Sequence, residues 1–376
     1  MNRLLVPVIL ALVACSETPS GPTQWNVQFA LNDSVTADVR FEGDSTSLTI
    51  VNGPERIPLN ALGNGTYAVP VFGGAIVVRW STDGFDGTWT DSLRPDGYSV
   101  PFTALPVANA PVVAQETCQS WNFIWEGDST ATDRLHLCVR GDSATGTVSS
   151  PTGDLRYLAG NLKDGILTLN TFDGAHLYRF HARATPTGFT DGTLHSGLHG
   201  FTRWTALSGP ALEAPDAALA ALLPGAIADL KTSDGKPLSL ELIPPTGTLH
   251  IVSIAGTWCP NCMDEARMLS RLIADRADVR WSVVVFERDS MPPPARLQRW
   301  ATDCGIPHAP YLGGSASKEV ASQVFPWIPG GISAFPTTAI VYPDGTAWIH
   351  AGFDGPATGD AHTRMKAEFI RALKAL

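Results

Sequence analysis

Two rhythms of apolar and polar residues run along this chain. From residue 25 to about 207, short stretches alternate apolar with polar positions: TADVRFEG (36–43), LHLCVRG (135–141) and LYRFHAR (177–183). DG, GN and GD turns bound them, which predicts short antiparallel strands joined by hairpins. After about residue 225 the alternation gives way to near-continuous apolar runs separated by helical spacing. TLHIVSIAG (248–256) and VRWSVVVFE (279–287) read as strands buried on both faces. NCMDEARMLSRLIADR (261–276) places Met268, Leu269, Leu272 and Ile273 at helical intervals. Further helices are predicted over PARLQRWATDC, ASKEVASQVF and TRMKAEFIRALKAL, and hairpins over residues 227–240 and 337–353. The second of these turns at Pro343-Asp344-Gly345.

The alternating region contains a repeat. QWNV (24–27) matches SWNF (120–123), and VFGGAIVVRW (71–80) matches TFDGAHLYRF (171–180). GFDGTW (84–89) matches GFTDGTL (188–194), and PFTAL (101–105) matches RWTAL (203–207). Four matches in one order, at offsets of about 96 to 104, predict a duplicated antiparallel meander over 25–105 and 117–207. Each copy is expected to hold about six strands, as a barrel or as half of a sandwich. Residues 208–224 read as a linker with a short helix, and 225–376 as a separate α/β domain.

The first fourteen residues depart from both rhythms. MNR supplies positive charge, and LLVPVILALVA is an apolar run too short for the ~20 residues of a membrane-spanning helix. This fits a secretory signal over 1–14. LVAC, ending at Cys15, resembles a bacterial lipobox, which makes Cys15 a candidate for lipid attachment; plain cleavage is the alternative. The polar, Pro- and Gly-rich residues 15–24 then read as a tether to a membrane. The expected location is extracytoplasmic. Composition narrows the function further. A formal charge of −10 leaves nothing to neutralise phosphates, so no nucleic-acid partner is expected.

With Cys15 lipidated, five thiols remain: Cys118, Cys138, Cys259, Cys262 and Cys304. Cys118 and Cys138 lie on neighbouring strand-like runs and are the expected structural disulfide of an oxidising compartment, although their register is not obviously face to face. GTWCPNCMDE (256–265) spends two cysteines within four positions. Zinc fits poorly: His250, Cys304 and His308 supply no second ligand pair, so no metal is expected. A disulfide closing so small a loop removes little chain entropy, so stapling is a weak purpose. A redox centre fits the surroundings. Cys259 follows a buried strand and opens a helix, where backbone N–H groups and the helix dipole favour the nucleophilic thiolate. Cys262 lies a turn further on, placed to resolve a mixed disulfide, and Pro260 suits the first helical turn.

WCPNC after a buried strand resembles the active site of thioredoxin-like proteins. More narrowly, GTWCPNCMDE, the SDGKPLSL hairpin before it and FPTT after it resemble the TlpA/ResA-like group of exported bacterial thiol–disulfide oxidoreductases. The resemblance covers about 225–376 and implies a thioredoxin-like α/β fold at the C-terminus, after the all-β region. It implies Cys259 as the attacking thiol, Cys262 as the resolving one and Glu265 as an aid to proton transfer. A plain carboxylate near a helix N-terminus is the alternative reading of Glu265. Pro336 matches the cis-proline that faces the cysteines in this fold, and Trp258 would pack beside them. The implied activity is protein-disulfide reduction without a cofactor. Its clients would be exported proteins such as apocytochromes, and a membrane thiol donor would recharge it. Pro-Asn between the cysteines departs from the Gly-Pro of thioredoxin, so the potential is not legible.

Other signals are weaker. His195 and His199 share a four-residue spacing that has meaning on a helix, but they lie in a Gly-rich strand context. Cys304 reads as an inert buried thiol. Trp25, Trp80, Trp89, Trp121, Trp125 and Trp204 read as core of the β modules rather than a ligand cleft. The competing functional class is a lipid-anchored binding module that uses the β repeats. A thiol peroxidase fits less well, since it would carry a lone cysteine in its own loop.

Overall fold

The computed structural model describes residues 23–70, 72–94, 97–107, 115–210, 212, 217–289 and 291–374. The expected signal segment, Cys15 and most of the tether lie outside the described residues.

The alternating residues of the first region wrap around one core. Nine antiparallel strands form a sheet in which Gln24–Ala30 pairs with both Thr36–Gly43 and Ser99–Val107. Its two end strands, Glu55–Pro58 and Asn60–Gly63, are consecutive in the chain. Inward positions such as Phe29, Phe41, Trp89 and Phe102 are buried, as the period-2 pattern requires. The second region closes completely. Glu116–Trp125 pairs with Asp133–Arg140 and with the last strand, Gly200–Leu207, and the intervening pairings complete a ring of eight, with a ninth strand of two residues at its side. Phe123 stacks on Trp204 at 4.9 Å within it. The second region is a closed barrel, and the first is a barrel-like sheet whose end strands do not pair with each other. Each sheet has nine strands against the expected six: in the first, Glu55–Pro58, Asn60–Gly63 and Thr66–Ala68 are too short to display an alternation, whereas in the second only Gly153–Asp154 is, and the other eight strands are long enough to be counted. The segments QWNV and SWNF lie on the first strands of the two sheets, and PFTAL and RWTAL on the last.

A hairpin tip of the second barrel fills the first. Phe172 packs on Phe29 at 4.8 Å and on Trp89 at 4.9 Å, inside the first barrel's core. Asn52 Nδ2 donates to the Phe172 carbonyl and Trp89 Nε1 to that of Gly174, so the plug is held by hydrogen bonds as well as by apolar contact.

The remainder is an eight-stranded mixed sheet with helices on it. Its elements are β1 (Ala218–Ala221), β2 (Ile227–Lys231), β3 (Pro237–Glu241), β4 (Leu249–Ala255), α1 (Pro260–Leu272), β5 (Val279–Glu287), α2 (Pro294–Cys304), β6 (Tyr311–Ser315), α3 (Lys318–Val324), β7 (Thr337–Val341), β8 (Thr346–Ala351) and α4 (Asp360–Ala372). In space the strands run β1-β8-β7-β4-β5-β6-β2-β3. β4, β5 and β6 are parallel, β7 is antiparallel to β4, and β8 is antiparallel to β7. A parallel βαβ unit followed by a ββα unit around a central β4 is the thioredoxin-like arrangement. Leu249, Ile251 and Ala255 face one core and Val252 and Ile254 the other, so β4 is buried throughout and shows no alternation. One boundary moves. Residues 218–221, expected in a linker with a short helix, pair with β8 instead. Their alanines favour helix, but an open sheet edge offers ladder hydrogen bonds that this propensity does not outweigh.

Candidate active site

The buried strand β4 ends at Ala255, and the chain turns at once into α1. Thr257 fixes that turn: its N–H and hydroxyl donate to the two oxygens of Glu287, each at 2.8 Å. Glu287 is itself buried and paired with Arg296 at 2.7 Å. Cys259 is the N-cap of α1, in extended conformation, and its Sγ accepts from the Cys262 N–H at 3.2 Å. That is the donor a thiolate would use at a helix start. Pro260 takes the first helical position, where its missing N–H costs nothing. Cys259 and Cys262 are joined as a disulfide, with Cα atoms 5.3 Å apart.

The second wall comes from the start of β7. The Phe335–Pro336 bond is cis, and the Phe335 carbonyl lies 3.5 Å from Cys259 Sγ. Trp258 packs edge-on against Phe335 at 5.7 Å and donates through Nε1 to the Phe286 carbonyl. Arg288 lies over the Trp258 ring at 4.7 Å, which places a cation beside the site.

Behind the cysteines sits a polar chain within an apolar core. Glu265, one helical turn beyond Cys262, is 1% exposed, and its Oε2 accepts from Thr338 Oγ1 at 2.8 Å. Thr338 Oγ1 in turn lies 3.2 Å from Ser253 Oγ, which accepts from Trp281 Nε1. Glu265 Oε1 is buried without a partner. Burial pushes the carboxyl up to about 8, against the lowering effect of the Thr338 bond, so it carries its proton at neutral pH. A carboxyl that titrates near 8, one helical turn from Cys262, can give a proton as the acid and take one through its ionised minority.

The remaining sequence candidates lie elsewhere. Cys118 and Cys138 are direct partners in register on the second barrel and are disulfide-bonded. Cys304 is a free buried thiol, pushed up to about 12 by burial, and therefore poorly nucleophilic. His195 and His199 diverge: the first packs on Phe201 and the second lies 3.0 Å from Arg94. Trp89 and Trp204 are buried in the two barrel cores.

Two groups at the site escaped the sequence reading. Thr338 stood in the FPTT motif without a role, and only the β7 register sets it against Glu265. Arg156 comes from the second barrel and is 8% exposed. It pairs with Asp264 of α1 at 3.2 Å, with Glu55 of the first barrel at 2.5 Å and with Asp173 at 3.6 Å. Asp264 sits inside the cysteine motif, but nothing local names a partner 108 residues earlier in the chain.

Several solved structures are similar to this chain. One is a secreted Mycobacterium tuberculosis disulfide oxidoreductase described as homologous to E. coli DsbE, at 16% identity over 39% of this chain and 95% of that one, TM-score 0.29. A thioredoxin-family thiol:disulfide interchange protein of Chlorobium tepidum matches at 22% identity over 43% and 97%, TM-score 0.28. An exposed lipoprotein thioredoxin of Streptococcus pneumoniae matches at 18% over 38% and 99%, TM-score 0.26. No family model and no curated protein matches the sequence.

Proposed function

We propose that this chain is an exported thiol–disulfide oxidoreductase, anchored to a membrane through Cys15, that reduces disulfides in exported client proteins. The observation that carries the reading is the cysteine pair at the start of α1, with Cys259 Sγ against the carbonyl of the cis Phe335–Pro336 turn and a protonated Glu265 behind it. In the reduced protein the Cys259 thiolate attacks one client sulfur. The client S–S bond breaks, a mixed disulfide forms, and the released client thiolate takes a proton. Cys262, having given its proton to the ionised minority of Glu265, then attacks Cys259 Sγ, the Cys259–client bond breaks and the client thiolate takes a proton. The client leaves as a dithiol, two electrons have passed to it, and the Cys259–Cys262 disulfide remains for a thiol donor to reduce.

The test is trapping. Cys262→Ala should accumulate mixed disulfides with client proteins or with a disulfide-bearing peptide, and Cys259→Ala should not. Equal trapping by both variants, or by neither, overturns the assignment. Anchoring is tested separately on the exported protein. The N-terminal peptide of the mature chain should begin at Cys15 and carry lipid mass; a soluble product without it removes the anchor from the proposal.

A further inference from the structure

A reacting cysteine must be reached by the sulfur it attacks, and reactive cysteines are accordingly found partly exposed. Here Cys259 is 5% exposed and Cys262 1%. The α/β unit does not enclose them alone. Phe72, from a loop of the first barrel, is buried in the same apolar cluster as both cysteines, and Ala175, at the plug hairpin's tip, packs against that cluster. Arg94 of the first barrel donates to the Ala175 carbonyl at 2.7 Å and holds the tip in place.

The turn 150–156 of the second barrel closes another side. Gly153, at φ +138°, lies directly under the side chain of Asn261, which stands between the two cysteines in the first turn of α1, and leaves no room for a Cβ. Pro151 and Thr152 also press on Gly352, where a Cβ would meet the Pro151 carbonyl at 2.8 Å, and the Gly352 N–H donates to the Pro336 carbonyl of the cis turn. Asp154 accepts from the Gly355 N–H at 3.3 Å, and Arg156 from the same turn pairs with Asp264. Both walls of the site, the first turn of α1 and the Pro336 loop, are thus held by segments of the barrels.

We propose that the two barrels form a cap over the dithiol, which must withdraw from α1 and the Pro336 loop before a protein disulfide can reach Cys259. Phe72 and the 150–156 turn thereby decide what the dithiol reacts with. This rests on the reading of Cys259 and Cys262 as a redox pair. Small disulfides and thiols need a narrow opening; a folded client needs the whole cap displaced.

The experiment measures alkylation of Cys259 in the full-length protein after chemical reduction, by peptide mass mapping. It compares iodoacetamide with a polyethylene-glycol maleimide, each normalised to its rate on the denatured chain. The bulky reagent should be slowed at least about tenfold more than the small one, since it reports only the open population. Phe72→Ala should narrow that gap. Equal normalised rates in the wild-type protein overturn the cap, and this comparison needs no variant to fold. Loss of the redox reading is separately visible: a pair that does not equilibrate with glutathione in the denatured-and-refolded or native protein refutes the reading, while the alkylation ratio still reports on the cap.

Discussion

At the scale of single residues, the group with the largest consequence outside the cysteines is Glu265. Its carboxyl is buried and raised to about 8 from 4.5, so the folded protein holds a proton that the unfolded chain releases near pH 4.5. The stabilising share of this group is therefore complete below about 4.5, declines as pH rises, and is gone above about 8. Glu265→Gln keeps an acceptor for Thr338 but cannot ionise. Wild type should accordingly lose on the order of a few kcal/mol relative to Glu265→Gln between pH 5 and pH 9, read from denaturant midpoints. A constant difference across that range would show that the carboxyl does not titrate in the fold. The cysteines and Pro336 were legible in the sequence because their meaning is local: a strand end, a helix start, an FPTT turn. The partner of Glu265 was not, because Thr338 arrives from a strand 73 residues away, and only the pairing of β4 with β7 fixes which hydroxyl faces it.

Among the elements, one guanidinium ties α1 to both barrels by charge. Arg156 satisfies Asp264, Glu55 and Asp173, all largely buried, and removing it leaves those carboxylates facing one another. Arg156→Ala should destabilise the protein by about 3–5 kcal/mol, the usual cost of stripping one partner from a buried charge cluster. Chemical denaturation measures this. A loss under ~1 kcal/mol would mean that water already reaches the cluster, as at a surface pair. Elements with a strong period were readable in advance: the four helices and the two long parallel strands stand near where their apolar spacing places them. The short strands were not, since three or four residues cannot establish a period of two. Residues 218–221 show the limit of propensity, because an alanine run takes the form that its neighbour β8 can hydrogen-bond.

For the whole molecule, the direction of electron flow depends on potential against compartment. The reductase role proposed above needs a reducing pair. We expect the Cys259–Cys262 couple nearer the ~−270 mV of thioredoxin than the ~−120 mV of a strong oxidant. Equilibration of the full chain with glutathione gives the value, and a result near the oxidant end would reverse the proposed direction. The all-β region was visible in the sequence as alternation and as four matched segments, but its placement against the α/β unit was not. That placement depends on a few side chains at loop tips, Phe72, Arg156 and Phe172, which no periodicity marks.

The plug at Phe172 also orders assembly in time. A chain leaving a ribosome or a translocation pore presents its first barrel, through Val107, well before residue 172 emerges. Until then Phe29, Phe41 and Trp89 lack the Phe172 ring that packs against all three in the folded protein. The first barrel is thus synthesised first, but its core is complete only once the hairpin tip of the second has packed into it.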